Sequence, residues 1–269
     1  MSRLPSRFLG VALLCVLPLA QAQQTAPQKP LPPIIGYLAG YKGLLQGNSI
    51  SVTPEVRRRA HVLHGHGGSP LGNSRVKLTN VADCVKRGLV KEGEHPLHVA
   101  AERLKKDGIT ILHTIGGDDT NTTAADLAAY LAQNGYKLTV VGLPKTIDND
   151  LGATAMTFGF NSAVETVVDS LDRLHTTAAS HKRVMVLEVM GRHAGWIALW
   201  GGIAGGANVI LLPEIPFDLE NVAKFIKQRD AQGQHSTLVV VAEGASMPNG
   251  AGVVTLDANS GGEVRLGGI

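Results

Sequence analysis

The sequence predicts an α/β fold with Rossmann-like parallel sheets in two lobes. Three observations carry that expectation. From residue 34 onward, short apolar runs alternate with amphipathic stretches at helical spacing, the pattern of repeated β-α units. The chain holds 32 glycines but only 4% aromatic residues, as suits many tight strand-to-helix turns. Polar and charged residues also gather just after the apolar runs, where the carboxyl ends of parallel strands should lie.

The elements follow in order. Residues 35–38 read as a short strand ending at Gly40, and Thr53, Pro54 and Glu55 as a helix start with proline in the first helical position. Residues 65–75, with Gly67, Gly68, Ser69, Ser74 and Arg75, form a loop. A helix is expected over 96–106, stopped by Gly108, then a strand over 109–115. Residues 120–134 form a helix closed by Gly135, and 138–143 the next strand. Over 161–177, Val164, Val167, Val168, Leu171 and Leu174 recur at helical spacing, with Glu165, Asp169, Asp172 and Arg173 outward. Residues 184–189 are a strand, and 193–205 a helix apolar nearly all round and hence deeply buried. Then come a strand over 209–212, a helix over 219–232 and a strand over 238–242.

Bulk properties exclude several classes. The formal charge of +3 and the absence of a long basic run argue against a nucleic-acid surface, and Arg57, Arg58 and Arg59 read as a solvated helix face. Two cysteines, Cys15 and Cys84, argue against a disulfide framework, and Cys84 reads as a small buried or half-buried apolar residue. The N-terminus stands apart. Two arginines up to Arg7, an apolar stretch over 8–19 and Ala20, Gln21, Ala22 make 1–22 a signal-like leader, too short to span a membrane, and 23–33 a Gln/Pro linker. Taken at face value, the leader implies export. We nevertheless expect a cytoplasmic protein with no membrane partner, its leader either a misassigned start or an anomaly.

Two segments carry the chemistry. Gly116, Gly117, Asp118 and Asp119 follow a strand and precede a helix start, where glycines let the backbone approach a polyphosphate and unpaired N–H groups attract it. A carboxylate there is useful if a cation bridges it to phosphate, which makes Asp118 the Mg²⁺ residue and Gly117 a donor-binding position. Asp119 adds a second negative charge, costly beside phosphate unless something is being excluded. One strand further on, Lys145, Thr146, Asp148, Asn149 and Asp150 lie within six residues. Asp148 is placed to take a proton from an attacking sugar hydroxyl, and Lys145 to meet developing negative charge. An ordinary polar turn with a helix cap is the rival reading for each segment taken alone. At the next strand end, Met190, Gly191 and Arg192 offer close approach and a phosphate grip, with His193 read as a cap or structural residue. Glu243 closes the last clear strand and suits sugar hydroxyls, and Arg75 could reach a phosphoryl donor. Arg183, a strand's length from Arg192, belongs at the opposite sheet edge and would serve a neighbouring subunit.

Taken in order, these segments resemble the phosphofructokinase family from about Gly36 to the end, with Gly40 to Leu45, Pro213 with Glu214, and Glu243 with Gly244 also in family order. The resemblance implies phosphoryl transfer to the 1-hydroxyl of fructose 6-phosphate in glycolysis, with Asp148 as base and Asp118 serving Mg²⁺. Thr146, Asp150, Met190, Gly191, Arg192 and Glu243 would surround the sugar phosphate. Arg183 would reach into the neighbouring subunit of a homo-oligomer. Residues 34–159 would form the phosphoryl-donor lobe and 160–269 the sugar-phosphate lobe. ATP-using members resemble a pattern with glycine at the positions of Asp119 and Lys145, so both residues point to pyrophosphate as donor. Asp119 carries most of the weight, because lysine at the second position also occurs in some ATP-using relatives. ATP as donor, or a non-catalytic sugar-phosphate-binding remnant, are the alternatives. The family's first strand and donor loop have no counterpart before Ile34, and the family continues beyond Ile269, so the sequence is expected to be incomplete at both ends.

Overall fold

A computed structural model describes residues 32–248 and two short antiparallel strands, Thr255–Leu256 and Arg265–Leu266. The leader and almost all of the linker, like Cys15, lie outside the described residues. Contacts divide the chain into two units, Met1–Gly36 with Ile50–Gly67, and Tyr37–Ser49 with Gly68–Ile269.

In the first unit, α2 (Pro54–Arg59) starts as expected: the Thr53 hydroxyl accepts the Val56 amide, and Pro54 occupies the first turn. A 3₁₀ segment, Ala60–Gly65, follows, and neither element buries a residue. Strands β1 (Ile35–Tyr37) and β2 (Ser49–Ser51) form a two-stranded sheet, and α1 (Tyr41–Gln46), between them in the chain, belongs to the second unit.

The second unit holds the parallel sheets. Ahead of the first come α3 (Val81–Lys86) and α4 (Pro96–Lys106). The bounds of α4 match expectation because Pro96 opens it and Gly108, at φ 66°, turns the chain just beyond its end. Its buried face, Leu97, Ala100, Ala101 and Leu104, joins Leu44, Leu78, Cys84, Leu127 and Leu131 in one apolar core. Each fully buried leucine there contributes about 1.5–3 kcal/mol. Cys84 is fully buried, as its reading allowed, and its thiol titrates above the ordinary value because burial disfavours the thiolate.

Strand β3 (Ile111–Gly116) pairs in parallel with β4 (Thr139–Thr146), with Gly116 opposite Pro144. β4 is longer than the sequence suggests. Lys145 and Thr146 pair with β5 (Phe158–Gly159), a two-residue strand too short to leave a periodic signal. Between β3 and β4 runs α5 (Asp118–Gln133). It begins two residues earlier than expected, so Asp118 and Asp119 form its first turn instead of preceding it. Gly117 in extended conformation is its N-cap, which leaves no side-chain capping signal to read.

The second sheet has the order β6-β8-β7, all parallel, from β6 (Val184–Val189), β7 (Val209–Leu211) and β8 (Thr237–Ala242). Helix α6 (Phe160–His181) buries Val167 and Leu171 against it, while Glu165, Asp169, Asp172 and Arg173 lie towards solvent on the other face. Helix α7 (Trp196–Ala204) corrects the expectation of a deeply buried element. Ile197, Ala198, Gly201 and Gly202 are buried, but Trp200 is 50% and Ile203 68% exposed. Apolar composition sets what a helix tolerates, not which neighbours cover it. The buried glycines allow α6 and β7 to approach, since a Cβ on Gly201 would lie 2.5 Å from Val167 and one on Gly202 2.7 Å from Ile210. α8 (Leu219–Ala231) is capped by the Asp218 carboxylate, which accepts the Glu220 amide at 2.8 Å.

Candidate active site

The tips of β3 and β4 form the centre of the site. Parallel pairing to Gly116 and Pro144 places the glycine turn beside the segment from Lys145 to Asp150. A Cβ on Gly117 would sit 3.7 Å from the Thr146 Cβ, so the turn lies against that side chain. The turn's carbonyls are held from inside α5. The Asn121 amide donates to the Gly116 oxygen at 2.8 Å and to the Gly117 oxygen at 2.9 Å. Gly116 has no room for a side chain, because its Cβ would meet the Thr120 hydroxyl at 2.4 Å.

Beyond β4, the buried Thr146 hydroxyl donates to the Asp148 carboxylate at 2.8 Å and accepts the Asp148 amide at 3.1 Å. Asn149 adopts a left-handed conformation, φ 53°, which asparagine tolerates. Its side-chain oxygen accepts the Thr157 amide at 2.9 Å, closing the loop between Asp148 and β5. Asp148 is half-buried, while Lys145 and Asp150 are exposed.

Asp150 reports the electrostatics. Its carboxyl titrates above the ordinary aspartate range, first because the group is partly shielded although the residue is exposed. The charges of Asp148 and Asp118 raise it further, and His193 opposes them. Asp150 at the β4 tip and Asp118 at the β3 tip thus lie within electrostatic reach of one another. Among the described residues, no group of three or more His, Cys, Asp or Glu stands close enough to hold a metal ion.

The ends of β6 and β8 form the second half. The Glu243 amide donates to the Val189 oxygen at 2.9 Å, and the Gly244 amide to the Gly191 oxygen at 3.1 Å, so Met190, Gly191, Arg192 and Glu243 are neighbours. Gly191, at φ 145°, adopts a conformation that side chains rarely take, and Gly244 has the Arg192 carbonyl oxygen where a Cβ would be. Arg192 is exposed and Glu243 half-buried. Glu214 stands out in the sequence only as part of a motif. Its carboxylate accepts the Gly195 amide at 2.8 Å and caps α7. Arg183 precedes β6 at the end opposite Met190, about 20 Å away along an extended strand, and is exposed.

A cleft of about 880 Å³ includes Lys42, Ser74, Arg75, Lys77 and Asp119 in its lining. Arg75 and Asp119, read separately as donor-side residues, therefore face one space. Asp119 is ion-paired with Lys77 at 2.7 Å. No helix among the described residues is long and apolar enough to cross a membrane.

The phosphofructokinase family matches residues 20–265. The chain belongs to the phosphofructokinase family. It is 56% identical over 165 residues to the pyrophosphate–fructose 6-phosphate 1-phosphotransferase of Methylotuvimicrobium alcaliphilum, covering 61% of this chain and 40% of that one. It is 45% identical over 242 residues to the ATP-dependent 6-phosphofructokinase 2 of Clostridium perfringens, covering 88% of this chain and 62% of the other. The crystal structure of the pyrophosphate-dependent phosphofructokinase from Nitrosospira multiformis superposes with a TM-score of 0.67 at 29% identity, over 82% of this chain and 54% of that one. The chain thus spans about half the length of the curated phosphofructokinase relatives it matches.

Proposed function

We propose that the chain carries the phosphoryl-transfer centre of a pyrophosphate–fructose 6-phosphate 1-phosphotransferase. One observation carries the reading: the parallel register of β3 and β4 sets the glycine turn and Asp118 beside Lys145, Thr146 and Asp148 at two adjacent strand tips. That is what in-line displacement on a polyphosphate needs from a protein.

In this reading the 1-hydroxyl oxygen of fructose 6-phosphate attacks one phosphorus of pyrophosphate. Its proton passes to the Asp148 carboxylate, held in orientation by the Thr146 hydroxyl. The bond from that phosphorus to the bridging oxygen breaks, and orthophosphate leaves with the bond's electrons. Lys145 meets the charge that develops on the transferring group. Gly117 and Arg75 serve the donor, Arg192 the sugar phosphate, and Glu243 the sugar hydroxyls, with Met190 and Gly191 forming the adjoining wall. Asp118 suits Mg²⁺, which is ordinarily held by one or two carboxylates together with substrate oxygens and water. When bound, that ion would supply positive charge against the negative charge of the phosphoryl groups. Residues 34–159 then serve the donor and 160–269 the sugar phosphate. Arg183, remote from this centre, serves the site of a second subunit in a cytoplasmic homo-oligomer.

ATP is the second reading for the donor, favoured by the similarity over 88% of this chain to an ATP-dependent relative. Asp119 and Lys145 favour pyrophosphate. The test is phosphoryl transfer to fructose 6-phosphate by the purified chain with each donor at matched Mg²⁺. Turnover with pyrophosphate alone supports the proposal. Turnover with ATP alone overturns the donor, and sugar-phosphate binding without turnover would leave a binding protein.

A further inference from the structure

The Lys77–Asp119 pair reaches from the loop that carries Arg75 to the first turn of α5. Lys77 lies two positions beyond Arg75, and both line the cleft that Asp119 faces. The pair is well exposed, with side chains 48% and 60% accessible, so its contribution to stability is small. Its larger effect is on the cleft. An aspartate facing a polyanionic donor repels it, and a lysine at 2.7 Å offsets most of that repulsion. The same contact holds the Asp119 carboxylate in one place, so it blocks a fixed part of the cleft instead of sweeping through it.

We propose that Lys77 is a positioning and specificity residue for the phosphoryl donor. It neutralises and fixes Asp119, so that the cleft accepts a compact diphosphate despite that carboxylate. The inference rests on pyrophosphate being the donor. It adds a distinct requirement: the effect of Lys77 must depend on Asp119. A lysine that merely added positive charge would help equally with or without the aspartate.

The test is a double-mutant cycle on the full chain, read by calorimetric titration of sodium pyrophosphate with Mg²⁺, and of fructose 6-phosphate as control. Lys77→Met is expected to weaken pyrophosphate binding about tenfold, and the same change in an Asp119→Gly background about twofold or less. Lys77→Arg, which retains the charge, should restore most of the affinity. Fructose 6-phosphate affinity should stay unchanged throughout. Equal losses in both backgrounds, or no loss in either, would overturn the inference while leaving the donor reading standing. A folded, unaltered chain that binds no pyrophosphate would remove the donor reading and the inference with it. Should Lys77→Met fail to fold, Lys77→Gln supplies the same comparison.

Discussion

The Thr146 hydroxyl both donates to the Asp148 carboxylate and accepts the Asp148 amide. A single buried side chain thus fixes the position and the hydrogen bonding of the residue assigned as base. Replacing Asp148 with alanine is expected to lower turnover by about 10²–10⁴-fold, with fructose 6-phosphate affinity unchanged. Thr146→Val should lower kcat by a smaller factor, about tenfold, since it disturbs orientation and leaves the carboxylate in place. Steady-state kinetics paired with calorimetric binding checks both, and an Asp148→Ala protein with full activity would refute the assignment.

Asp150 makes a pH prediction. Its carboxyl titrates above the ordinary value because of partial shielding and the charges of Asp148 and Asp118. Between the ordinary and the raised value the folded chain binds more protons than the unfolded one, so stability falls as pH rises through that window. Asp150→Asn should therefore melt higher than the unaltered chain near neutrality. Below the ordinary aspartate value of 3.8 the two should melt together. Thermal melts between acid and neutral pH provide the measurement. An advantage for the variant that persists in acid would contradict shielding and like-charge repulsion as its cause.

Donor choice turns on Asp119 and Lys145. Converting both to glycine should raise the ratio of ATP-supported to pyrophosphate-supported turnover by at least about tenfold, by removing a carboxylate that blocks part of the cleft and a diphosphate contact. An unchanged ratio in a donor-competition assay would dismiss Asp119 and Lys145 as the basis of selectivity.

Gly244 tests the sugar side. Because the Arg192 carbonyl lies where a Cβ would go, Gly244→Ala must move the Arg192 backbone. Forced overpacking of this kind costs about 1–3 kcal/mol. For a chain of this size each kcal/mol lowers Tm by roughly 2–4 °C, which a thermal melt resolves. Fructose 6-phosphate binding should weaken alongside, while pyrophosphate binding should not.

Much of this site is legible in the sequence because strand tips announce themselves. The apolar runs before Gly116, Lys145 and Met190 locate three of them, and the polar residues clustered there have no role in a core. The tertiary partners are not legible. Asn121 anchors the glycine turn through two carbonyls, yet in the sequence it is one more polar residue in an amphipathic helix. Glu214 caps α7 from 19 positions away, and Lys77 meets Asp119 from a separate loop. Such pairings depend on how distant segments pack, which periodicity does not encode. The start of α5 escapes the sequence for the opposite reason: Gly117 caps it without a side chain, so nothing local marks the boundary.

Gly116 and Pro144 are register partners in one parallel ladder, so the acidic tips are joined by the backbone hydrogen bonds that hold their sheet together. Heating should therefore extinguish ligand capture at the temperature where the β3 and β4 amides begin to exchange with solvent. No cooler interval of folded but unresponsive protein is expected to precede it.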